Sequence, residues 1–169
     1  MIQHPEGGAS PQKRNSILIV DDTVANLLAF SAILKPLGCR IVVAGSGREA
    51  LGYAQEEDYA VILMDVRMPD LNGFETAQRL RLHPRTRHTP IVFMSAFEVP
   101  PLQLFAEFVG ADVDFISSPV DTELLTRKVT AKLRSFSAEE TKDPSDPNLQ
   151  KSSGPSKGDH PGNSELEDG

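Results

Sequence analysis

Cysteine is almost absent from the sequence: Cys39 stands alone among 169 residues, so no intramolecular disulfide can form. Disulfides are typical of exported proteins, and a single cysteine favours a reducing compartment. We expect Cys39 to fill a small apolar space at a helix-to-strand turn. The first residues lack the basic start and apolar core of a secretion signal, and no apolar run approaches the length of a membrane span. These absences predict a cytoplasmic protein without a membrane segment.

Several catalytic signatures are missing as well. The sequence has no glycine-rich phosphate loop and no Gly-x-Ser-x-Gly motif, and no histidine makes a convincing base for Cys39. Two histidines, His4 and His160, lie near the ends of the chain, and with His83 and His88 they do not form the spacing of a metal site. The function must therefore rest on other residue types.

The acidic charge is concentrated in the last part of the chain. Residues 136–169 contain three lysines and eight acids, a net charge of −5 out of −7 for the whole sequence. This segment has almost no large apolar residues, so it cannot bury enough surface to offset the entropy of ordering. We predict a flexible arm over 1–15, one folded domain over 16–135 and a disordered acidic tail over 136–169, with no second folded domain after 135.

Apolar strand-like runs and helical patterns alternate between the two ends. The predicted strands cover 16–21, 40–44, 60–65, 90–95 and 113–117, and the predicted helices cover 23–35, 47–56, 74–82, 100–109 and 121–135. This alternation with short connections implies right-handed crossovers and a doubly wound α/β fold, in which helices cover both faces of a five-stranded parallel sheet. The predicted inward face of the first helix carries Val24, Leu27, Leu28, Ser31 and Leu34.

Two of these strands end on carboxylates. The apolar run 17–20 is followed by Asp21 and Asp22, and the run 61–64 is followed by Asp65. Because the carboxyl ends of neighbouring parallel strands face one crevice, we expect the three acids to form a pocket. Carboxylates with carbonyls and waters suit Mg²⁺, and Asp65 would be able to accept a phosphoryl group. The structural alternative is that Asp22 caps the following helix.

Basic residues cluster at the other end of the predicted sheet. They are Arg79, Arg81, His83, Arg85, Arg87 and His88. The net charge of residues 1–135 is only −2, whereas a nucleic-acid-binding domain is usually basic overall. We therefore predict a solvated surface that contacts a partner protein, and no nucleic-acid binding.

Over roughly residues 16–135, the sequence resembles the receiver domain of two-component response regulators. The matching segments, in the family's order, are Val20-Asp21-Asp22, Leu63-Met64-Asp65 with Met68, Pro69 and Gly73, the run 91–96, Gly110-Ala111-Asp112, and 115–119. The resemblance implies a flavodoxin-like sheet of strand order 2-1-3-4-5. It also implies that Asp65 is the phosphoacceptor, that Mg²⁺ binds Asp22 and Asp65 directly and Asp21 through water, and that the backbone carbonyl of Arg67 is a further ligand.

One departure from the family pattern lies in the site itself. The family places a lysine immediately before the proline of its last motif, and this chain has Ser118 before Pro119. A serine hydroxyl cannot balance carboxylate or phosphoryl charge as an ammonium does. Arg67 and Arg48 are the basic residues that we expect nearest to the site. By the resemblance, we also expect a cis Ser118–Pro119 peptide bond.

The resemblance implies a non-enzymatic, single-domain response regulator. It would take a phosphoryl group on Asp65 from a histidine kinase or phosphotransfer protein and alter a surface for a downstream protein near the last strand and its flanking helices. Ser95 would hydrogen-bond the phosphoryl group, and Phe115 would be the aromatic switch residue. The alternatives are a phosphorylation-independent pseudo-receiver, suggested by Ser118, and a magnesium-dependent phosphohydrolase, which lacks a second acid–base group.

Overall fold

The computed structural model describes residues 16–96, 109–110 and 112–140, with side chains as far as 136. The predicted helix over 100–109 lies almost wholly outside these residues, as do the predicted arm and the tail beyond 140. Within the part of the chain that is described, no helix is both long and apolar enough to cross a membrane.

Strands and helices alternate as predicted as far as the fourth strand, and a further strand and helix follow the residues that the structure does not describe. The strands are β1 (Ser16–Val20), β2 (Arg40–Ala44), β3 (Val61–Asp65), β4 (Ile91–Ser95) and β5 (Val113–Ser117). The helices are α1 (Val24–Leu34), α2 (Gly47–Glu56), α3 (Gly73–Leu82) and α4 (Thr122–Glu140). All strands are parallel in the order β2-β1-β3-β4-β5, which confirms the predicted doubly wound sheet. The last helix continues to Glu140, past its predicted end at 135.

The three central strands β1, β3 and β4 are buried on both faces of the sheet. On β1, Ile17 and Ile19 pack in the cluster beneath α1 and α4, whereas Leu18 and Val20 pack in the cluster beneath α2 and α3. All four side chains are fully buried. Each such side chain contributes about 1.5–3 kcal/mol relative to an exposed position, so burial of these residues holds β1 in the middle of the sheet.

Helix α1 turns a different face to the sheet than the sequence predicted. Its buried side chains are Leu27, Phe30 and Leu34, whereas Val24 and Leu28 are 69% and 68% exposed. The prediction that Val24 and Leu28 belong to the core was therefore wrong. Phe30 offers the larger apolar surface and takes the inward position, which rotates the buried stripe of the helix away from them.

Arg81 is a structural residue. Its Nε donates to the Val109 carbonyl at 2.7 Å, and its Nη1 donates to the Thr86 and Thr89 carbonyls at 3.0 and 2.6 Å. Burial lowers the pKa of its guanidinium. The expectation that the whole basic cluster is solvated was wrong for this residue, because Arg81 ties the end of α3 to two other segments.

The loop after β3 is shaped by a close backbone approach. The Gly73 N–H donates to the Val66 carbonyl at 3.0 Å, and a Cβ on residue 73 would lie 2.2 Å from the carbonyl oxygen of Asp65. At the start of α3, the Asn72 side chain accepts from the Glu75 N–H, and the Glu75 carboxylate accepts from the Asn72 N–H. This capping box fixes where the helix begins. Together these contacts hold the loop against the end of β3.

The close approach at Gly73 predicts that Gly73→Ala lowers the free energy of unfolding by about 1–3 kcal/mol, because the added methyl group meets backbone atoms. Gly52→Ala in α2 is the matched control, since a Cβ there would meet nothing within 4 Å. Alanine is favoured over glycine inside a helix by roughly 0.5–1 kcal/mol, so this control should be slightly stabilised. Urea unfolding measures both variants, and equal stability of the two would contradict the close approach.

Candidate functional site

Three carboxylates meet where β1 and β3 end. The two strands pair in parallel with Val20 opposite Met64, so the residues that follow these two positions, Asp21 and Asp65, lie side by side. One oxygen from each of Asp21, Asp22 and Asp65 lies within 4.8 Å of the others. The structure thus brings together the three acids that the sequence predicted at one pocket.

Asp21 is held by its own neighbours. It is 2% exposed, and its carboxylate accepts from the Thr23 backbone N–H at 2.8 Å and from the Asn26 amide Nδ2 at 2.9 Å. Helix α1 begins after Thr23, which makes no side-chain cap hydrogen bond. The alternative that Asp22 caps this helix was wrong, because Asp21 makes these contacts at the start of the helix. The Asp22 side chain is exposed at the crevice.

The surroundings of Asp65 disfavour the ionised form of its carboxylate. Burial, and then the charges of Asp21 and Asp22, raise its pKa to about 6, although the backbone N–H groups of Arg67 and Val66 oppose the shift. Negative charges held this close disfavour a third ionised group. Above its pKa, Asp65 is nevertheless ionised and able to act as a nucleophile.

The acids open onto a crevice of about 750 Å³ whose wall includes Asp22, Asp65, Arg67 and Ser118. Ser118 arrives there through a turn in which its N–H donates to the Ser95 carbonyl at 2.7 Å. The Ser118–Pro119 peptide bond is cis, as predicted. Position 118 therefore lies at the crevice, and it carries no charge.

Among the described residues of the crevice wall, Arg67 is the only basic one. Arg48 lies exposed at the start of α2 and does not line the crevice. Of the two arginines predicted near the site, only Arg67 is therefore placed to balance its charge.

An aromatic row connects the crevice with the predicted switch residue. The rings of Phe74 and Phe93 lie 5.0 Å apart, and those of Phe93 and Phe115 lie 5.2 Å apart and are stacked. Phe74 lines the crevice, and Phe115 lies opposite Phe93 in the β4–β5 register. Ser95, at the end of β4, is 7% exposed. Phe74 and Asn26 were not predicted as site residues, and their positions at the starts of α3 and α1 were the available signal.

The fold and the carboxylate cluster agree with the comparison to known families. The model of the response regulator receiver domain matches residues 17–130. This chain belongs to the receiver domain family.

Individual relatives support the same assignment. Protein PilH of Pseudomonas aeruginosa is 31% identical over 117 residues, which cover 69% of this chain and 96% of PilH. The structure of the chemotaxis protein CheY4 of Vibrio cholerae has a TM-score of 0.63 and 30% identity, covering 69% of this chain and 96% of that one. Other curated relatives are far longer, and the chain spans as little as 12% of their length.

Receiver domains bind Mg²⁺ in their acidic pocket. The receiver domain of the sensor histidine kinase PA1611 of Pseudomonas aeruginosa was solved with a magnesium ion in its active site cleft, and it matches 70% of this chain at 28% identity and a TM-score of 0.59, over 97% of its own length. The donor set here fits such an ion, because three carboxylates offer hard oxygen ligands within 4.8 Å of one another.

The pKa of Asp65 predicts how stability depends on pH when no divalent cation is present. The folded protein holds this pKa at about 6, above the ordinary value of 3.8. Between roughly pH 6 and pH 4 the folded state therefore binds a proton that the unfolded state does not, and stability rises as the pH falls. Asp65→Asn should add about 1–2 kcal/mol to the free energy of unfolding near neutral pH, after allowance for solvent screening. The gain should shrink toward pH 4.

Thermal unfolding in a chelating buffer measures this effect. Glu56→Gln is the control, since it removes one exposed carboxylate at the end of α2. If Asp65→Asn gave no more stability than Glu56→Gln near neutral pH, or a gain that grew on acidification, the electrostatic account of the cluster would be wrong.

Proposed function

We propose that Asp65 accepts a phosphoryl group from a histidine kinase or phosphotransfer protein, and that the phosphorylated domain signals by binding a downstream protein. The observation that carries the proposal is the placement of Asp65 at the end of β3, beside Asp21 and Asp22, in a receiver domain. Receiver domains take part in phosphotransfer of this kind.

The proposed chemistry is a displacement at phosphorus. An ionised oxygen of Asp65 attacks, its new O–P bond forms as the P–N bond to the donor histidine breaks, and the imidazole nitrogen keeps the electron pair. A pKa of about 6 leaves Asp65 ionised at neutral pH. The backbone N–H groups of Arg67 and Val66, which lower that pKa, hold the carboxylate in place. Magnesium, when bound, would offset the charge of the phosphoryl oxygens.

The ligand assignment is part of this proposal. Asp22 and Asp65 would bind Mg²⁺ directly, with the backbone carbonyl of Arg67, and Asp21 would bind it through water. The contacts of Asp21 support its separate role, because Thr23 and Asn26 already donate to its two oxygens.

We propose that phosphorylation changes the partner-binding surface through Ser95 and Phe115. Ser95 ends the strand next to β3, and Phe115 stacks on the buried Phe93 of that same strand. A phosphoryl group that draws Ser95 toward Asp65 would change the packing available to Phe115. We propose that the downstream partner binds near β5 and α4, where this change reaches the surface.

Two other functions remain candidates. A pseudo-receiver that binds partners without phosphorylation is suggested by Ser118, which adds no positive charge to the site. A phosphohydrolase is less favoured, because the crevice wall, over the residues that the structure describes, contains no histidine or glutamate as a second acid–base group.

Labelling with a small phosphodonor separates these functions. We expect stoichiometric, magnesium-dependent phosphorylation of the wild type at Asp65, located by mass spectrometry, and none in Asp65→Asn. Asp70→Asn is the matched control, since Asp70 is exposed in the same loop and its φ of 65° suits asparagine equally well. No labelling would favour the pseudo-receiver, and continuous turnover of the donor would favour the hydrolase.

Ser118 predicts an incomplete response to phosphorylation. A population shift requires stronger interaction with the active state, and a lysine at this position would supply one charge-assisted contact to the phosphoryl group. Ser118→Lys should therefore enlarge the chemical-shift changes that a phosphoryl mimic causes around Ser95 and Phe115. Ser117→Lys is the matched control, because Ser117 is exposed and does not line the crevice.

Equal responses of the wild type and Ser118→Lys would contradict this account. Loss of the response in Arg67→Ala would then show that Arg67 already fills the role of the missing lysine.

A further inference from the structure

Two features of the sequence have no part in the phosphoacceptor site: the basic cluster over 79–88 and the acidic segment that begins after 136. The structure places the loop of the first beside Phe136, from which the second continues. They meet at a groove of about 340 Å³, here called the basal groove, which is lined by Asp58, Pro84, Arg85, His88, Thr89 and Phe136. Thr89 lies two residues before Ile91, the first residue of β4, so the groove lies at the end of the sheet opposite Asp65.

The rim of the basal groove carries positive charge that its surroundings balance only in part. Arg85 is 46% exposed, and its nearest acid is Asp58 at 3.7 Å. Arg87 and His88 are exposed, and no carboxylate among the described residues lies within ion-pair distance of either.

Two lysines of helix α4 show the contrast. Lys128 pairs with Asp114 and Lys132 pairs with Asp112, so both of these lysines already have an acid partner on or beside β5. Of the two arginines of this loop, Arg85 alone lies near an acid among the described residues, so an acidic ligand would balance the charge of Arg87.

An acidic stretch of the same chain begins three residues after Phe136. Phe136 of α4 lines the groove, and the backbone of that helix ends at Glu140. Residues 139–146 contain four acids and one lysine. We propose that this segment docks on the basal groove and that its carboxylates pair with Arg85, Arg87 and His88.

Tethering makes such a contact effective although each exposed ion pair is weak. A short linker holds a segment at an effective concentration in the millimolar range, so even a weak surface contact is populated. The contact is screened by salt, because the charges on both sides are exposed. An acidic protein that used this surface would first have to displace the segment.

Paramagnetic NMR on the full chain tests the proposal. A nitroxide on Ser145→Cys, in a Cys39→Ala background, should broaden the amides of 85–88 and leave those of 65–68 unchanged. The broadening should disappear at about 0.5 M salt, where the screening length is only about 4 Å. It should also disappear in Arg85→Gln/Arg87→Gln. Arg48→Gln/Arg127→Gln is the matched control, because it removes two exposed arginines elsewhere.

Several outcomes would overturn the proposal. They are equal broadening at both ends of the sheet, broadening that survives salt or the Arg85→Gln/Arg87→Gln change, and broadening seen only between molecules in a mixed-isotope sample. A second measurement needs no label: neutral replacement of the four acids in 139–146 should shift the amides of Arg85 and His88. Unchanged shifts there would count against docking.

Discussion

The parallel pairing of β1 with β3 is the constraint on which the site depends. Because Val20 lies opposite Met64, the chain must place Asp21 and Asp65 next to each other when it buries the two strands. Apolar burial on both faces of the sheet sets this register, and the carboxylates have to follow it. Burial of Asp65, and then repulsion by Asp21 and Asp22, raise its pKa. The chemistry of the site is thus a consequence of the packing of the core.

Neutral groups supply much of the balance within this acidic cluster. Thr23 and Asn26 donate to Asp21, and the backbone N–H groups of Val66 and Arg67 lower the pKa of Asp65. Such donors orient a carboxylate without adding charge, so they leave the site in need of a cation. Receiver domains meet this need with Mg²⁺, and in this chain Ser118 adds no positive charge to the crevice wall.

The sequence predicted those features that follow from local pattern. Apolar runs that end on Asp21 and Asp65 marked two strands, and a parallel sheet then required the acids to converge. Features that depend on distant contacts were not visible. The buried Arg81 donates to the carbonyl of Val109, which is far along the chain. The inward face of α1 depends on how Phe30 packs against the sheet. The aromatic row likewise joins residues of three separate elements.

The most direct test of the central claim, that the paired strands create a cation site, is an NMR titration with magnesium. The account predicts shifts of the amides of 21–23, 65–68 and 95–96 at millimolar magnesium, with weaker binding in Asp22→Asn and unchanged binding in Asp70→Asn. The amides of 85–88, at the opposite end of the sheet, should not move. Undisturbed resonances at the ends of β1 and β3, or equal binding in the two variants, would contradict it.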